Sequence, residues 1–224
     1  MTCLTADAPL STSRTLENVG MPTDETKTRR RSAEERRDDL MDAAILVMSA
    51  RGVAAATTRA IAEQAGVPQG VFHYCFRSKD ELVEALFERE ITKTSERTSD
   101  ALRSFADVSR GLRAGLEAQL ALVRADPRYY VAMAELSLTV QRAASGAPLA
   151  VWEQDQYRTR ARASLEEWSA EHALTWSVPL EDVASFLVAF GAGVASTWLA
   201  DRDDARADAA VAVAVAALSA LARA

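Results

Sequence analysis

TTRAIAEQAGVPQGVFHYCFRSK, residues 57–79, is the stretch that decides the fold. It predicts two short helices joined by a glycine turn and followed by the start of a third helix. Gly66 falls at the turn, where a positive φ is needed and glycine adopts it at little cost. Phe72 and Phe76 stand one helical turn apart and would anchor the second helix. Such a pair either lays one helix in the major groove of DNA or is an ordinary part of an all-α core.

The segments on both sides continue the helical pattern. Ser78 and Glu81 have the spacing of a capping box, in which a side chain at each end bonds the backbone of the other, and Ser32 and Glu35 repeat that spacing. We therefore expect helices at about 33–51, 58–65 and 69–75, and a fourth from residue 79 into the 90s.

The stretch from about Glu34 to Leu86 resembles the N-terminal DNA-binding domain of the tetracycline-repressor (TetR) family of bacterial transcription regulators. The matching residues are Arg51-Gly52, Thr57-Thr58, Ile61-Ala62, Ala65-Gly66-Val67, Gly70, Phe76, Ser78-Lys79 and Glu81-Leu82. The resemblance implies an all-α fold of about nine helices, with a three-helix helix-turn-helix domain followed by a helical domain for ligand binding and dimerisation. The chain departs from the family's usual residues at His73 and Cys75.

These patterns divide the chain into three parts. Residues 1–31 are rich in Thr, Ser, Pro and Asp without apolar periodicity, and we expect a disordered extension. Residues 32–78 form the predicted helix-turn-helix DNA-binding domain, and residues 79–224 form the predicted effector-binding and dimerisation domain. Its helices are expected at about 107–125, at 127–144, from the break at Gly146-Ala147-Pro148 to about 173, at 180–200 and at 205–222.

Composition supports a helical fold and does not exclude a local basic surface. The 224 residues are 49% hydrophobic and 26% charged, with nine glycines and six prolines, which is typical of an all-α globular protein. The net charge of -6 argues against a protein that coats nucleic acid without specificity. Between residues 27 and 37, however, six cations face two anions, so the basic charge is concentrated around the start of the first helix.

The chain lacks the patterns of catalysis and metal binding. Its two cysteines, Cys3 and Cys75, indicate neither a disulfide framework nor a zinc site. GxSxG, HExxH, CxxC, P-loop and GxGxxG motifs are all absent, and His73 and His172 lie in different predicted domains. We predict no catalytic residue, no metal site and no cofactor. The N-terminus has no apolar signal region, so we expect a cytoplasmic protein.

The candidate DNA contacts are of two kinds, those that read a base and those that bind the DNA backbone. Gln69 can pair with adenine in the major groove, unless it is simply an exposed helix start. Thr57 suits a phosphate or a helix cap, and residues 29–31 either reach into a minor groove or only raise the local charge. By resemblance, Lys79 contacts a phosphate. The full predicted set is Arg29, Arg30, Arg31, Thr57, Thr58, Arg59, Pro68, Gln69, Gly70, His73, Tyr74 and Lys79.

The predicted body carries large side chains that can line a ligand cavity, although aromatic residues at helical spacing are also typical of a plain core. The resemblance implies a pocket for a small-molecule effector, which the candidates predict to be apolar or aromatic. The candidates are Tyr130, Met133, Trp152, Tyr157, Trp168, Trp176, Phe186 and Phe190.

The last two predicted helices are too apolar to be covered by one chain. The alternation at residues 211–215 is also compatible with a strand, but its flanking alanines favour a helix, and the last segment is too short and too alanine-rich to span a membrane. In the family, these helices form a four-helix dimer interface. The residues expected there are Phe190, Val194, Trp198, Val213 and Leu221.

The sequence thus predicts a homodimeric, ligand-responsive regulator of transcription. The expected mode is a repressor that a small effector releases from double-stranded, palindromic operator DNA, with no membrane partner. The alternative is a helical small-molecule-binding protein or enzyme with a vestigial DNA-binding head.

Overall fold

Helices account for most of residues 32–223, the part of the chain that the computed structural model describes. The predicted extension at 1–31, with its Arg29–Arg31 arm and Cys3, lies outside the described residues. The elements, in chain order, are α1 (Ala33–Arg51), a 3₁₀ turn (Val53–Ala55), α2 (Thr58–Gln64), α3 (Gln69–Cys75), α4 (Lys79–Arg103), α5 (Val108–Ala125), α6 (Pro127–Arg142), α7 (Ala147–His172), β1 (Thr175–Trp176), α8 (Leu180–Asp201), α9 (Asp204–Ser219) and β2 (Ala222–Arg223). The nine α-helices confirm the predicted all-α fold within this range.

Side-chain caps fix where several helices begin. The predicted box at Ser32 and Glu35 forms, with the Glu35 N–H donating to Ser32 Oγ at 3.0 Å and the Ser32 N–H donating to Glu35 Oε2 at 2.8 Å. Asp126 accepts from the Tyr129 N–H at 3.0 Å, and proline follows it in the first helical turn. These short-range bonds satisfy N–H groups that a helix leaves unpaired at its start.

The predicted box at Ser78 and Glu81 forms only in part. Ser78 Oγ accepts from the Glu81 N–H at 3.1 Å. The Glu81 carboxylate, however, accepts from the N–H of Arg77 at 2.8 Å rather than from that of Ser78. Salt bridges from Glu81 to Arg37 and Arg77 hold the carboxylate in this position, so tertiary contacts have changed a local motif.

The first hydrophobic core joins the two halves of the chain. We call residues 32–78 the head and residues 79–223 the body. Phe72 and Phe76 of the head are fully buried, and Leu86 of α4 is buried in the same cluster. Met133 and Leu136 of α6 belong to this cluster too. The core therefore crosses the predicted domain boundary at residues 78 and 79.

Two further cores lie within the body. One is built around Trp168 of α7, which is fully buried, and includes Leu112 of α5 and Val211 of α9. The other contains Leu120 of α5 and Trp198 of α8. The strand alternative at residues 211–215 is wrong, because this segment is part of α9 and buries Val211 and Val215 in its helical packing.

The C-terminus ends differently from the prediction. Helix α9 stops at Ser219 instead of continuing to about residue 222. Ala222 then pairs with Trp176 in an antiparallel two-residue bridge, and the Ser177 N–H donates to the Leu221 carbonyl at 2.8 Å. The bridge ties the end of the chain to the connection between α7 and α8.

Helix α8 has an unusual combination of apolar composition and exposure. By length and composition it is one described helix that can cross a membrane, although the core helix of a soluble protein passes the same test. Only 28% of its most apolar window is buried within the chain. Much of its apolar surface therefore remains uncovered in a single copy.

Candidate DNA-binding surface and effector cavity

The turn between α2 and α3 sets the direction of the second helix. Gly66 adopts φ +68°, as predicted for the turn. The Val67 N–H donates to the Ala62 carbonyl at 3.0 Å, which closes the end of α2 before the chain reverses. Pro68, at the N-cap of α3, has φ -58° and ψ 144°, an extended geometry that proline adopts without strain.

Helix α3 has one buried and one exposed side. Phe72 and Cys75 are buried, so the helix is fixed on the head by these two side chains. Tyr74 is 72% exposed. The other predicted contacts on this helix are exposed as well, namely Gln69, Gly70 and His73. The exposed side is thus rich in groups that can form hydrogen bonds to base edges or phosphates.

The start of α2 lies next to the start of α3. Thr57 caps α2, accepting from the Ala60 N–H at 3.1 Å. Gln69 Nε2 donates to Thr58 Oγ1 at 3.4 Å, so the glutamine amide is oriented by the neighbouring helix. Arg59 is exposed and forms a salt bridge with Glu63 at 2.9 Å. Lys79 is half-buried at the first position of α4.

Arg37 has a structural role that its position in a basic stretch of sequence does not indicate. Its guanidinium donates to the Cys75 carbonyl at the end of α3 and to Glu81 Oε1, and it lies 4.1 Å from the centre of the Phe76 ring. The bond from the Arg77 backbone, together with the Arg37 and Arg77 side chains, lowers the pKa of Glu81 to about 2. Arg37 therefore ties α1, α3 and α4 together.

A cavity of about 800 Å³ lies in the body, within the size range of small-molecule sites. Helices α4, α5, α6, α7 and α8 all contribute to its wall. Leu116, Val123, Leu165 and Leu187 are among the apolar residues on it. The space is therefore suited to a ligand with an apolar body.

The structure brings three of the eight predicted pocket residues to the cavity wall, namely Tyr130, Met133 and Tyr157. The other five are outside this wall. Trp152 packs against the first core, and Trp168 is fully buried with its Nε1 donating to the Phe105 carbonyl at 2.8 Å. Trp176 Nε1 donates to Ser169 Oγ at 3.0 Å. Phe186 and Phe190 stack on each other along α8, with their ring centres 5.9 Å apart.

The cavity wall also carries carboxylates that were missing from the predicted set. Glu90 of α4 is 3% exposed, and its carboxylate accepts from Tyr129 Oη at 2.6 Å and from Thr94 Oγ1 at 2.9 Å. Glu153 of α7 is 5% exposed and accepts from Ser137 Oγ at 2.8 Å. Buried carboxylates on different helices give no periodic signal in the sequence, because each one alone resembles a surface glutamate.

Burial and the nearby carboxylates change the acidity of this end of the cavity. Burial, followed by the charges of Glu90 and Glu153, raises the pKa of the Tyr157 hydroxyl. Burial also raises the pKa of Glu153, with an opposing contribution from its Ser137 hydrogen bond. Among the described residues, no cluster of three His, Cys, Asp or Glu side chains is placed to hold a metal ion.

The predicted interface residues differ in their exposure within one chain. Val194 and Trp198 are each 7% exposed and belong to the third core. Phe190 and Leu221 are half-buried. Val213 is 72% exposed on α9. Of these five, Val213 thus has the most surface available for a partner.

Comparison with known proteins identifies the head. The family described as "Bacterial regulatory proteins, tetR family" matches residues 40–86. The chain is 36% identical over 97 residues to the HTH-type transcriptional activator FasR of Mycolicibacterium smegmatis, covering 43% of this chain and 44% of FasR. It is 44% identical over 54 residues to the HTH-type nicotine-responsive transcriptional repressor HdnoR of Paenarthrobacter nicotinovorans, covering 24% of this chain and 28% of HdnoR. The chain thus matches less than half the length of either relative.

The likeness in fold extends over most of the chain. A crystal structure of a TetR transcription regulator from Haloarcula marismortui superimposes with a TM-score of 0.67 at 19% sequence identity, covering 85% of this chain and 100% of that one. At this identity the superposition shows the fold. The family match thus covers the helix-turn-helix segment of the head, residues 40–86, and the superposition extends the likeness in fold to most of the chain.

Proposed function

We propose that the chain is a ligand-responsive, homodimeric regulator that binds a palindromic operator and is released from it when a small molecule enters the body. The observation that carries this proposal is the position of Glu135. This residue is on the wall of the cavity, and its Oε1 accepts a hydrogen bond from the Val53 N–H of the head at 3.1 Å. One side chain is thus shared between the ligand space and the DNA-binding region.

The exposed side of α3 is the surface that we assign to the major groove. Gln69 reads a base, because its amide can both donate to and accept from adenine. Tyr74 and His73 contact base edges or phosphates beside it. Lys79 and the capped start of α2 bind phosphates, which fix the orientation of the head without reading sequence.

A second copy of the chain covers the apolar surface of α8 and α9. The low burial of α8 and the 72% exposure of Val213 support this assignment. A stable dimer of this type buries on the order of 2,000 Å² or more. It also holds two recognition helices at a fixed separation, roughly one DNA turn of about 34 Å or a multiple of it.

The ligand acts through α6. This helix contributes to the cavity wall, its Met133 and Leu136 pack into the first core, and Glu135 bonds the head directly. A ligand that shifts α6 therefore shifts the head relative to its partner's head and weakens the fit to the operator. Coupling of this kind is typically about 1–3 kcal/mol.

The effector has an apolar or aromatic body, because leucine, valine and alanine residues line much of the cavity and two tyrosines lie beside them. Repression is the mode that we propose, although the two relatives include an activator as well as a nicotine-responsive repressor. We assign no catalytic residue and no cofactor, and we expect the protein to work in the cytoplasm. The competing proposal is a helical small-molecule-binding protein or enzyme whose head no longer binds DNA.

Selection of bound fragments from random duplex DNA tests the proposal. The full chain is expected to enrich a palindromic sequence and to bind it with an affinity that falls steeply as salt rises. A compound library is then screened for molecules that release this duplex. Failure to enrich any sequence, with negligible affinity for duplex DNA at low salt, would favour the competing proposal.

A further inference from the structure

Glu153 is an incompletely satisfied carboxylate on the cavity wall. The side chain is 5% exposed, and its Oε1 accepts the hydrogen bond from Ser137. Its Oε2 is buried and has no hydrogen-bond partner among the described residues. A buried carboxylate oxygen without a donor is unfavourable, and burial accordingly raises the pKa of Glu153. The fold therefore holds this group at a cost in stability.

Glu90, the other buried carboxylate on the cavity wall, has hydrogen-bond donors and a cation within the chain. Glu90 is bonded by Tyr129 and Thr94, and Lys93 Nζ lies 3.8 Å from its Oε2. In contrast, none of the described Lys, Arg or His side chains lies within 4.0 Å of the Glu153 carboxylate. Arg160 is also on the cavity wall, but its guanidinium pairs with Glu88.

The surroundings of Glu153 favour a cation over other partners. Three glutamates, Glu90, Glu135 and Glu153, and one arginine, Arg160, contribute to the wall, so its charged residues are predominantly acidic. Tyr157 follows Glu153 by four residues on α7, so the two side chains lie on the same side of the helix, and tyrosine faces attract cations. The chain already uses this contact, since Lys93 Nζ is 4.5 Å from the centre of the Tyr129 ring.

We propose that the effector is an organic cation, whose protonated amino group binds the Glu153 carboxylate beside Tyr157 while its apolar remainder lies along the leucines of α5, α7 and α8. This inference rests on the proposed function, because it names the chemical class of the effector. It adds a charge requirement to an otherwise apolar cavity. An anionic ligand is disfavoured by the same three carboxylates.

The test compares three probes with the same body and different ends, namely phenylbutylamine, phenylbutanol and phenylbutyrate. At neutral pH the first is a cation, the second a neutral hydrogen-bond donor and the third an anion. Calorimetric titration of the full chain is expected to give the tightest binding for the amine, by about tenfold or more over the alcohol, because a charged hydrogen bond is stronger than a neutral one. The carboxylate is expected to bind most weakly.

Glu153→Gln removes the charge and keeps the size of the side chain. It is expected to reduce amine affinity by about tenfold or more and to leave alcohol affinity within about twofold. Glu171→Gln, an exposed change on the same helix, is the matched control and is expected to keep the preference for the amine. Thermal melting of both variants checks that they fold. If Glu153→Gln does not fold, the order of the three probe affinities for the wild type tests the inference.

Three results would overturn the inference: equal binding of amine and alcohol by the wild type, an amine preference that survives in Glu153→Gln, or no heat of binding for the amine at millimolar concentration. Operator binding is measured separately, without any probe. A chain that releases its operator with neutral ligands alone would lose this inference and keep the proposed function. If the wild type binds no operator but still prefers the amine, the proposed function fails and Glu153 remains only a cation-binding residue without a regulatory role.

Discussion

The head and the body use their polar side chains in opposite ways. On α3 the head exposes Gln69, His73 and Tyr74, while its apolar anchors face inward. The body buries Glu90 and Glu153 beside a cavity that five helices enclose. The difference teaches that an exposed recognition surface can be built from neighbours in sequence, whereas an internal site depends on how distant segments meet. The predictions below test how separable the two regions are.

The largest effect is expected from Val213→Glu. Val213 is 72% exposed in one chain, so the change should not unfold it, but a charge in the proposed dimer interface would be buried without a partner. We expect a monomer whose operator affinity falls about 10³-fold or more, towards non-specific binding. Sedimentation and operator titration measure the two effects.

Val151→Glu is the matched control for that experiment. It places the same charge at a valine that is 60% exposed on α7. This variant should remain dimeric and should bind the operator as the wild type does. A wild type that sediments as a monomer and still binds a palindrome tightly would contradict the proposed assembly.

The connection between the regions is tested by Glu135→Ala. Loss of the hydrogen bond to the Val53 N–H should weaken the response to an effector by about 1–3 kcal/mol, with a smaller change in operator affinity when no effector is present. Glu135→Gln retains an acceptor oxygen and should preserve most of the response. If Glu135→Ala releases the operator as readily as the wild type does, the two regions communicate by another route.

At the proposed DNA-binding surface, Gln69→Ala and Lys79→Ala separate base reading from phosphate binding. Gln69→Ala should relax the preference at one operator position by about 1–3 kcal/mol. Lys79→Ala should weaken binding to all sequences alike. Titrations against operators with single base-pair changes provide the measurement, and a change in sequence preference caused only by Lys79→Ala would reverse the assignment.

The smallest effect concerns the free energy of unfolding in acid, through Glu81 at the start of α4. Because the pKa of Glu81 is lowered from 4.5 to about 2, its ionised form stabilises the folded state above pH 4.5, and this contribution disappears as the pH falls from 4.5 towards 2. Glu81→Gln should therefore be less stable than the wild type at pH 7, and the difference should vanish near pH 2. Urea unfolding at several pH values measures it.

Exposed Glu84, on the same helix, provides the control for Glu81. Glu84→Gln should change the stability little at any of these pH values. A stability difference for Glu81→Gln that is unchanged between pH 7 and pH 2 would show that the carboxylate does not act through its charge.

The sequence predicted the head more completely than the body. The turn at Gly66 and the buried anchors Phe72 and Phe76 were confirmed, since they follow from backbone sterics and helical periodicity over a few residues. In the body, helix positions followed from Asp126-Pro127 and similar signals. The residues of the cavity wall could not be predicted in this way, because aromatic residues at helical spacing are compatible with a packed core and with a cavity equally.

What the sequence determined by itself was local: where helices begin, where the chain turns and which residues of α3 face outward. The tertiary structure decided the pairings between distant residues. Arg37 meets Glu81 across 44 positions, Tyr129 meets Glu90 across 39, and Glu153 reaches the cavity only because α6 and α7 pack side by side. The physical reason is range, since caps and periodicity act within one or two helical turns, whereas a buried charge acquires its partner, or remains without one, when the helices pack.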